Sequence, residues 1–221
     1  RISLSNNDGN TENTVFGYHA LTNDGTVLGN VGADYNTAVG HLSMGTGTTT
    51  DATYNTAVGY KVLEDITDAD FNTAVGAKAG ASITDGVRNT FIGQSAGETS
   101  TSITFAVGIG GNAIGGANAT SAAIGTVAVG YSALTALTTG ARNVAIGYTS
   151  LVHNLTGTDN TAVGYETMAD QNAGSSSANS DFNTVVGSRV MDGVWADVVS
   201  EYNTAIGAHS MRGNMNGANF N

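Results

Sequence analysis

The chain has no proline and no cysteine in its 221 residues. Without proline, no position is barred from donating to a β-ladder. Without cysteine there is no disulfide framework and no thiolate chemistry, and the redox compartment stays open. Charge is scarce as well, at 11 % of residues, and what there is has one dominant sign: seven Lys and Arg against eighteen Asp and Glu, a formal net charge of −11. That is the wrong sign for neutralising phosphates, so neither nucleic acid nor an anionic membrane surface is an expected partner. No apolar run approaches the ~20 residues of a membrane span, and the first residues lack the pattern of a secretory signal.

Glycine is what the chain has in excess, 31 of 221 residues, about twice the usual share of ~7 %. It does not fall at every third position, which excludes a collagen helix. It falls instead at the end of a recurring five-residue unit. Asn36-Thr37-Ala38-Val39-Gly40 returns, with small changes, at 13–17, 55–59, 72–76, 89–93, 143–147, 160–164, 183–187 and 203–207, and degenerate copies are read as ending at Gly108, Gly125 and Gly130. On that reading the spacing is most often 17 residues, stretches to 23, and slips once to five between Gly125 and Gly130. A motif repeated this often is one structural unit stacked on itself. The expected organisation is a single β-solenoid array over residues 1–221. Asn219-Phe220-Asn221 matches the lead-in Asp70-Phe71-Asn72, so a fragment of a longer fibre is expected.

Within each unit the columns are sorted by chemistry. The residue before the glycine is Val or Ile (Phe16 in the first copy), the one before that is mostly Ala, and the next mostly Thr. Five residues of this composition favour a strand over a helix. After the glycine, segments such as Tyr60-Lys61-Val62-Leu63 and Tyr131-Ser132-Ala133-Leu134 alternate in a way that suits a second strand. Stacking such units in register makes an all-β, parallel β-solenoid whose coils rise ~4.8 Å each, so that about eleven coils form a rod ~50 Å long. Stacked Asn side chains are expected to form amide ladders and to tolerate left-handed backbone. Val/Ile and Thr point to one side of the strand and Ala to the other. The expected arrangement places the Val/Ile column in the interior and the Ala side against sister chains in a threefold bundle.

At Ala106-Val107-Gly108-Ile109-Gly110-Gly111-Asn112-Ala113-Ile114-Gly115, followed by Ser121-Ala122-Ala123-Ile124-Gly125, the chain resembles the left-handed β-roll head repeats of trimeric autotransporter adhesins. The rest, built as at Asn160 to Met168, is more similar to the repeat region of bacteriophage tail fibres and related surface fibres. The resemblance implies a left-handed β-roll, a homotrimer, and a structural fibre segment of a tail fibre or similar appendage that presents loops or a distal tip to a host cell-surface glycan or protein. The alternative it leaves open is an adhesin head binding cells or matrix. The implied location is the virion tail fibre or the extracellular cell surface, and the 17 to 23 residue unit favours the phage-like form.

No catalytic, cofactor-binding or metal residues are expected, and the chain reads as a non-enzyme. His19, His41, His153 and His209 fall in units far apart, so they do not converge on one ion within a subunit. Glu64-Asp65 and Asp68-Ala69-Asp70 lack a calcium-loop pattern and read as a solvated loop. Gly108-Ile109-Gly110-Gly111 lacks the βαβ context of a dinucleotide site. The Thr column raises ice binding as a minor alternative, disfavoured because the neighbouring Val/Ile column is expected to be buried. Recognition belongs in the longest insertions, around 22–34, 169–181 and 192–200. The last holds the single tryptophan, Trp195, which with Asp192 and Asp197 is a candidate surface for a glycan or a packed neighbour; the alternative is that Trp195 plugs one coil.

Overall fold

The computed structural model describes residues 12–22, 32–169, 180–193 and 200–212. One parallel sheet runs through all of them. Its strands are β1 (Thr14–Phe16), β2 (Thr37–Val39), β3 (Thr56–Val58), β4 (Thr73–Val75), β5 (Thr90–Ile92), β6 (Val107–Ile109), β7 (Val127–Val129), β8 (Val144–Ile146), β9 (Thr161–Val163), β10 (Thr184–Val186) and β11 (Thr204–Ile206). They lie side by side in chain order, Thr over Thr and Ala over Ala in β2, β3 and β4. Each strand is the same piece of one coil of a β-solenoid, as the spacing implies.

The register corrects the reading of the sixth unit. β6 pairs Val107, Gly108 and Ile109 with Thr90, Phe91 and Ile92, so the closing glycine there is Gly110 and Gly108 takes the Ala place. The glycines at 93, 110 and 130 then stand 17 and 20 residues apart, and the five-residue slip disappears. Gly125 belongs to an excursion that contains one 3-10 turn, Ser121–Ala123, and closes no coil.

The expected second strand is not formed. Residues 60–64 are turn, with Lys61 at φ 54° and Leu63 at φ 48°. The places two and four residues after the closing glycine repeat this left-handed backbone, as at Ser132, Leu134, Thr149 and Leu151. Bulky residues seldom take this conformation, so local propensity points to a strand. The backbone is held by neighbouring coils instead: Lys61 N donates to His41 O (3.0 Å) in the coil before, and Leu63 N to Ala79 O (3.1 Å) in the coil after. The left-handed residue at the other bend is also not the Asn but the one ahead of it, Tyr35, Tyr54, Phe71 and Arg88 among them.

The inside and outside of the strand are the reverse of the expectation. Ala38, Ala57, Ala74, Ala128, Ala145 and Ala162 are fully buried, while Val75, Ile92, Ile109 and Ile146 are 36 to 40 % exposed. The parity follows from the Asn column. Asn36 lies two residues before Ala38, so both point the same way, and Asn36, Asn55, Asn72 and Asn89 are all buried. The coil interior is narrow because Leu63, Leu134 and Leu151 reach across it from the turn. A small side chain opposite them is what fits.

That pairing of sizes inverts once. In β5 the Ala place is filled by Phe91, fully buried. Around it the Leu place of two coils is glycine, Gly80 and Gly97, and the Ala place of the next coil is Gly108. A Cβ on Gly97 would lie 2.6 Å from the Phe91 ring, and one on Gly108 2.9 Å from it. One large residue and three absent side chains keep the interior filled at constant cross-section. Phe91→Leu is expected to lower unfolding stability by about 1–2 kcal/mol through a partly collapsed void, read from the urea midpoint. No change would mean that the ring does not set the packing of this coil.

Candidate interaction face

The outward side of the eleven-stranded sheet is a continuous surface along the described coils. Its centre is two columns, Thr37, Thr56, Thr73 and Thr90 with their counterparts, and beside them Val39, Val58, Val75 and Ile92 with theirs. The Thr column gives way to Val107, Val127 and Val144 in β6, β7 and β8. No charged residue occurs in any of the eleven described strands.

Aromatic ladders border both margins. On the Asn side the rings of Tyr35 and Tyr54 stack at 4.7 Å, and those of Tyr54 and Phe71 at 5.0 Å. The ladder continues through the Arg88 guanidinium, 5.2 Å from the Phe71 ring and 5.5 Å from Phe105. Phe182 and Tyr202 repeat the stack at 4.9 Å near the far end. On the glycine side His41 lies between Tyr18 (5.4 Å) and Tyr60 (5.5 Å), and Tyr148 between Tyr131 (5.4 Å) and Tyr165 (5.6 Å). The left-handed backbone ahead of each Asn turns the first ladder outward, and the coil repeat brings its rings into register. Because the rings cover each other face to face, mainly edges meet solvent.

In the first margin Arg142 and Asp159 replace the aromatics with a bidentate ion pair, Nε to Oδ1 and a terminal guanidinium nitrogen to Oδ2, both 2.7 Å. The hydrogen bond from Arg142, then its charge, hold the Asp159 carboxyl below the usual carboxylate range. A carboxylate whose pKa is lower in the folded state stabilises the fold above the unfolded value of ~3.9, and that contribution is lost as pH falls through the folded value. The pair is largely solvent-screened, so that contribution is small. Arg142→Ala is expected to lower stability slightly above about pH 5 and to leave it unchanged near pH 2, so that this acid-side slope disappears, read from urea midpoints between pH 2 and 6.

The residues singled out from sequence are distributed as follows. Asp192 is half-buried just beyond the turn that follows β10, whereas Trp195 and Asp197 lie outside the described residues. The histidines sit in separate coils, His41 inside a ladder and His19 edge-on to Tyr18 at 3.9 Å. Among the described residues no group of three or more His, Cys, Asp or Glu is placed to hold a metal ion. The acidic cluster is spent on local bonds: Glu64 pairs with Lys61 at 2.7 Å, Asp65 accepts from the Thr46 hydroxyl at 2.9 Å, and Asp70 accepts from Thr53 N and Oγ1, both at 2.7 Å. The outward strand face was missed by the sequence reading because the wrong side was assigned to the interior, although the two-residue step from Asn to Ala carried the needed signal. No known protein family, curated protein or solved structure matches this chain.

Proposed function

We propose that this chain is a non-enzymatic, homotrimeric, left-handed β-roll segment of a fibre, of the kind found in phage tail fibres or comparable surface appendages. It acts as a stiff spacer that carries its insertion loops, or a distal tip, to a glycan or protein on a host surface. The observation that carries this reading is the uninterrupted register of eleven strands, which makes a rod ~50 Å long at ~4.8 Å per coil with one uncharged apolar strip along its length. Such a strip is larger than monomeric proteins usually leave bare. The resemblance of the Asn-Thr-Ala-Val-Gly repeat to fibre repeats points the same way. The test is the mass of the purified 22.2 kDa chain in solution by sedimentation equilibrium. Three chains per particle are expected, and a monomer at micromolar concentration would overturn the reading.

Ice binding is a second reading, and the outward Thr column favours it, since the objection that the adjoining Val/Ile column is buried no longer holds. It ranks behind the fibre because the Thr column lapses to valine in three successive strands and aromatic margins flank the flat centre. Thermal hysteresis of the purified chain tests it.

A further inference from the structure

We infer that the outward strand face is where copies of this chain meet, side by side and coil against like coil, with the Val/Ile column toward a common axis and the aromatic margin of one copy against the opposite margin of the next. This rests on the fibre reading above and assigns its interface, which the sequence placed on the alanine side; those alanines are buried inside the coil.

Three observations select a second copy as the occupant. The first is extent. Eleven coils at ~4.8 Å, spanned by the six residue steps from one margin to the other at up to ~3.3 Å each, give a face on the order of 700–1,000 Å². That is comparable to the ~800 Å² per partner of a stable interface. The second is periodicity. An occupant must be apolar at the coil repeat along the whole rod, and the body that carries such a strip is this chain itself.

The third is the placement of charge. At −11 copies would repel, but none of the described strands carries a charge, and in the first margin Arg142 and Asp159 neutralise each other at 2.7 Å while Arg88 adds a positive charge between the Phe71 and Phe105 rings. The exposed Asp51, Asp68 and Asp85 lie in the return segments that lead to the next Asn. They would stay in water if the strand face were covered.

The two margins differ, Tyr35–Tyr54–Phe71 on one and Tyr18–His41–Tyr60 on the other. A contact between unlike edges is heterologous and closes into a ring under rotation about an axis along the rod. In that arrangement Val75 of one copy lies near Val75 of the next. An antiparallel twofold contact would set β4 against the far half of the sheet instead.

The chain lacks cysteine, so an introduced one is unique. Val75→Cys, oxidised with copper-phenanthroline and run on a non-reducing gel, is expected to give a dimer band in most of the protein. The double variant Val75→Lys with Ile92→Lys is expected to sediment as a monomer, one third of the wild-type mass, with an unchanged far-ultraviolet spectrum. Asp68→Lys with Asp85→Lys should retain the wild-type mass. A wild-type trimer whose mass survives the strand-face lysines, or whose Val75→Cys form does not cross-link, overturns this interface and leaves the fibre reading standing. A monomeric wild type overturns both, and thermal hysteresis in that monomer would hand the face to ice. Should the lysine variant fail to fold, the cross-link alone decides.

Discussion

Gly147→Ala is expected to be among the most damaging single-methyl changes in the chain, costing about 2–6 kcal/mol from backbone strain and steric overlap together. Gly147 has φ +135°, a region that side chains avoid, and a Cβ there would sit 2.1 Å from the carbonyl oxygen of Gly164 and 2.6 Å from its carbon. Both are main-chain atoms of the next coil and cannot swing aside. Gly164 stands in the same relation to Gly187, and Gly130 to Gly147, so moving one coil to relieve the overlap moves its neighbours. The loss is a large part of the 5–15 kcal/mol that holds a typical domain together. Gly125→Ala is the control. It too has positive φ, +70°, but its nearest neighbour is the Arg142 Cγ at 3.8 Å, so only conformational strain of about 1–2 kcal/mol applies. Urea unfolding followed by circular dichroism compares them, and equal losses would show that glycine is kept for its freedom alone and not for the closeness of the coils.

Asn72→Ala is the second, expected to cost about 2–5 kcal/mol because it strands more than one buried polar group. Asn72 is almost wholly buried. Its main-chain N donates to Asn55 Oδ1 at 2.9 Å, its side-chain Nδ2 donates to Asn55 Oδ1 at 3.1 Å and Gly86 O at 2.8 Å, and its own Oδ1 accepts from Asn89 N at 2.9 Å. Removing the amide leaves the Gly86 carbonyl and the Asn89 N–H to find water they cannot reach. Asn72→Asp should do comparable harm, since the carboxylate keeps an acceptor for Asn89 but loses the donor to Gly86 and becomes a buried charge. The readout is the urea midpoint beside that of Asn112→Ala, a half-buried position after β6. A loss no greater than at Asn112 would mean that the ladder follows the fold without supporting it.

Both predictions rest on columns that were legible as repetition, yet the columns differ in how far they could be read. The stacking of β2 on β3 on β4 followed from the recurrence of Asn-Thr-Ala-Val-Gly, because identical units satisfy one another only in register. The sixth coil was misread because Gly108 imitates a closing glycine; its true place became evident only when Phe91 lay beside it, a contact between residues 17 apart with no local trace. The Lys61 to Leu63 turn reads as a strand in sequence because propensities average over chains without such partners, whereas here alternate left-handed residues bond to coils on either side. The candidate face was named on its wrong side, and Trp195 and Asp197 lie outside the described residues.

The order of residues is enough to show that the chain is a stack of coils, that Thr and Val share one side of the strand while Asn and Ala share the other, and that neither side carries charge. All of that is periodicity, and periodicity is written residue by residue. Which side is inside depends on how the coil closes in space, because parity relates neighbours without saying what stands opposite them. Leu63 and its equivalents are buried in the coil, so the room left behind most strands is that of an alanine, and the branched aliphatics before the closing glycine are turned outward.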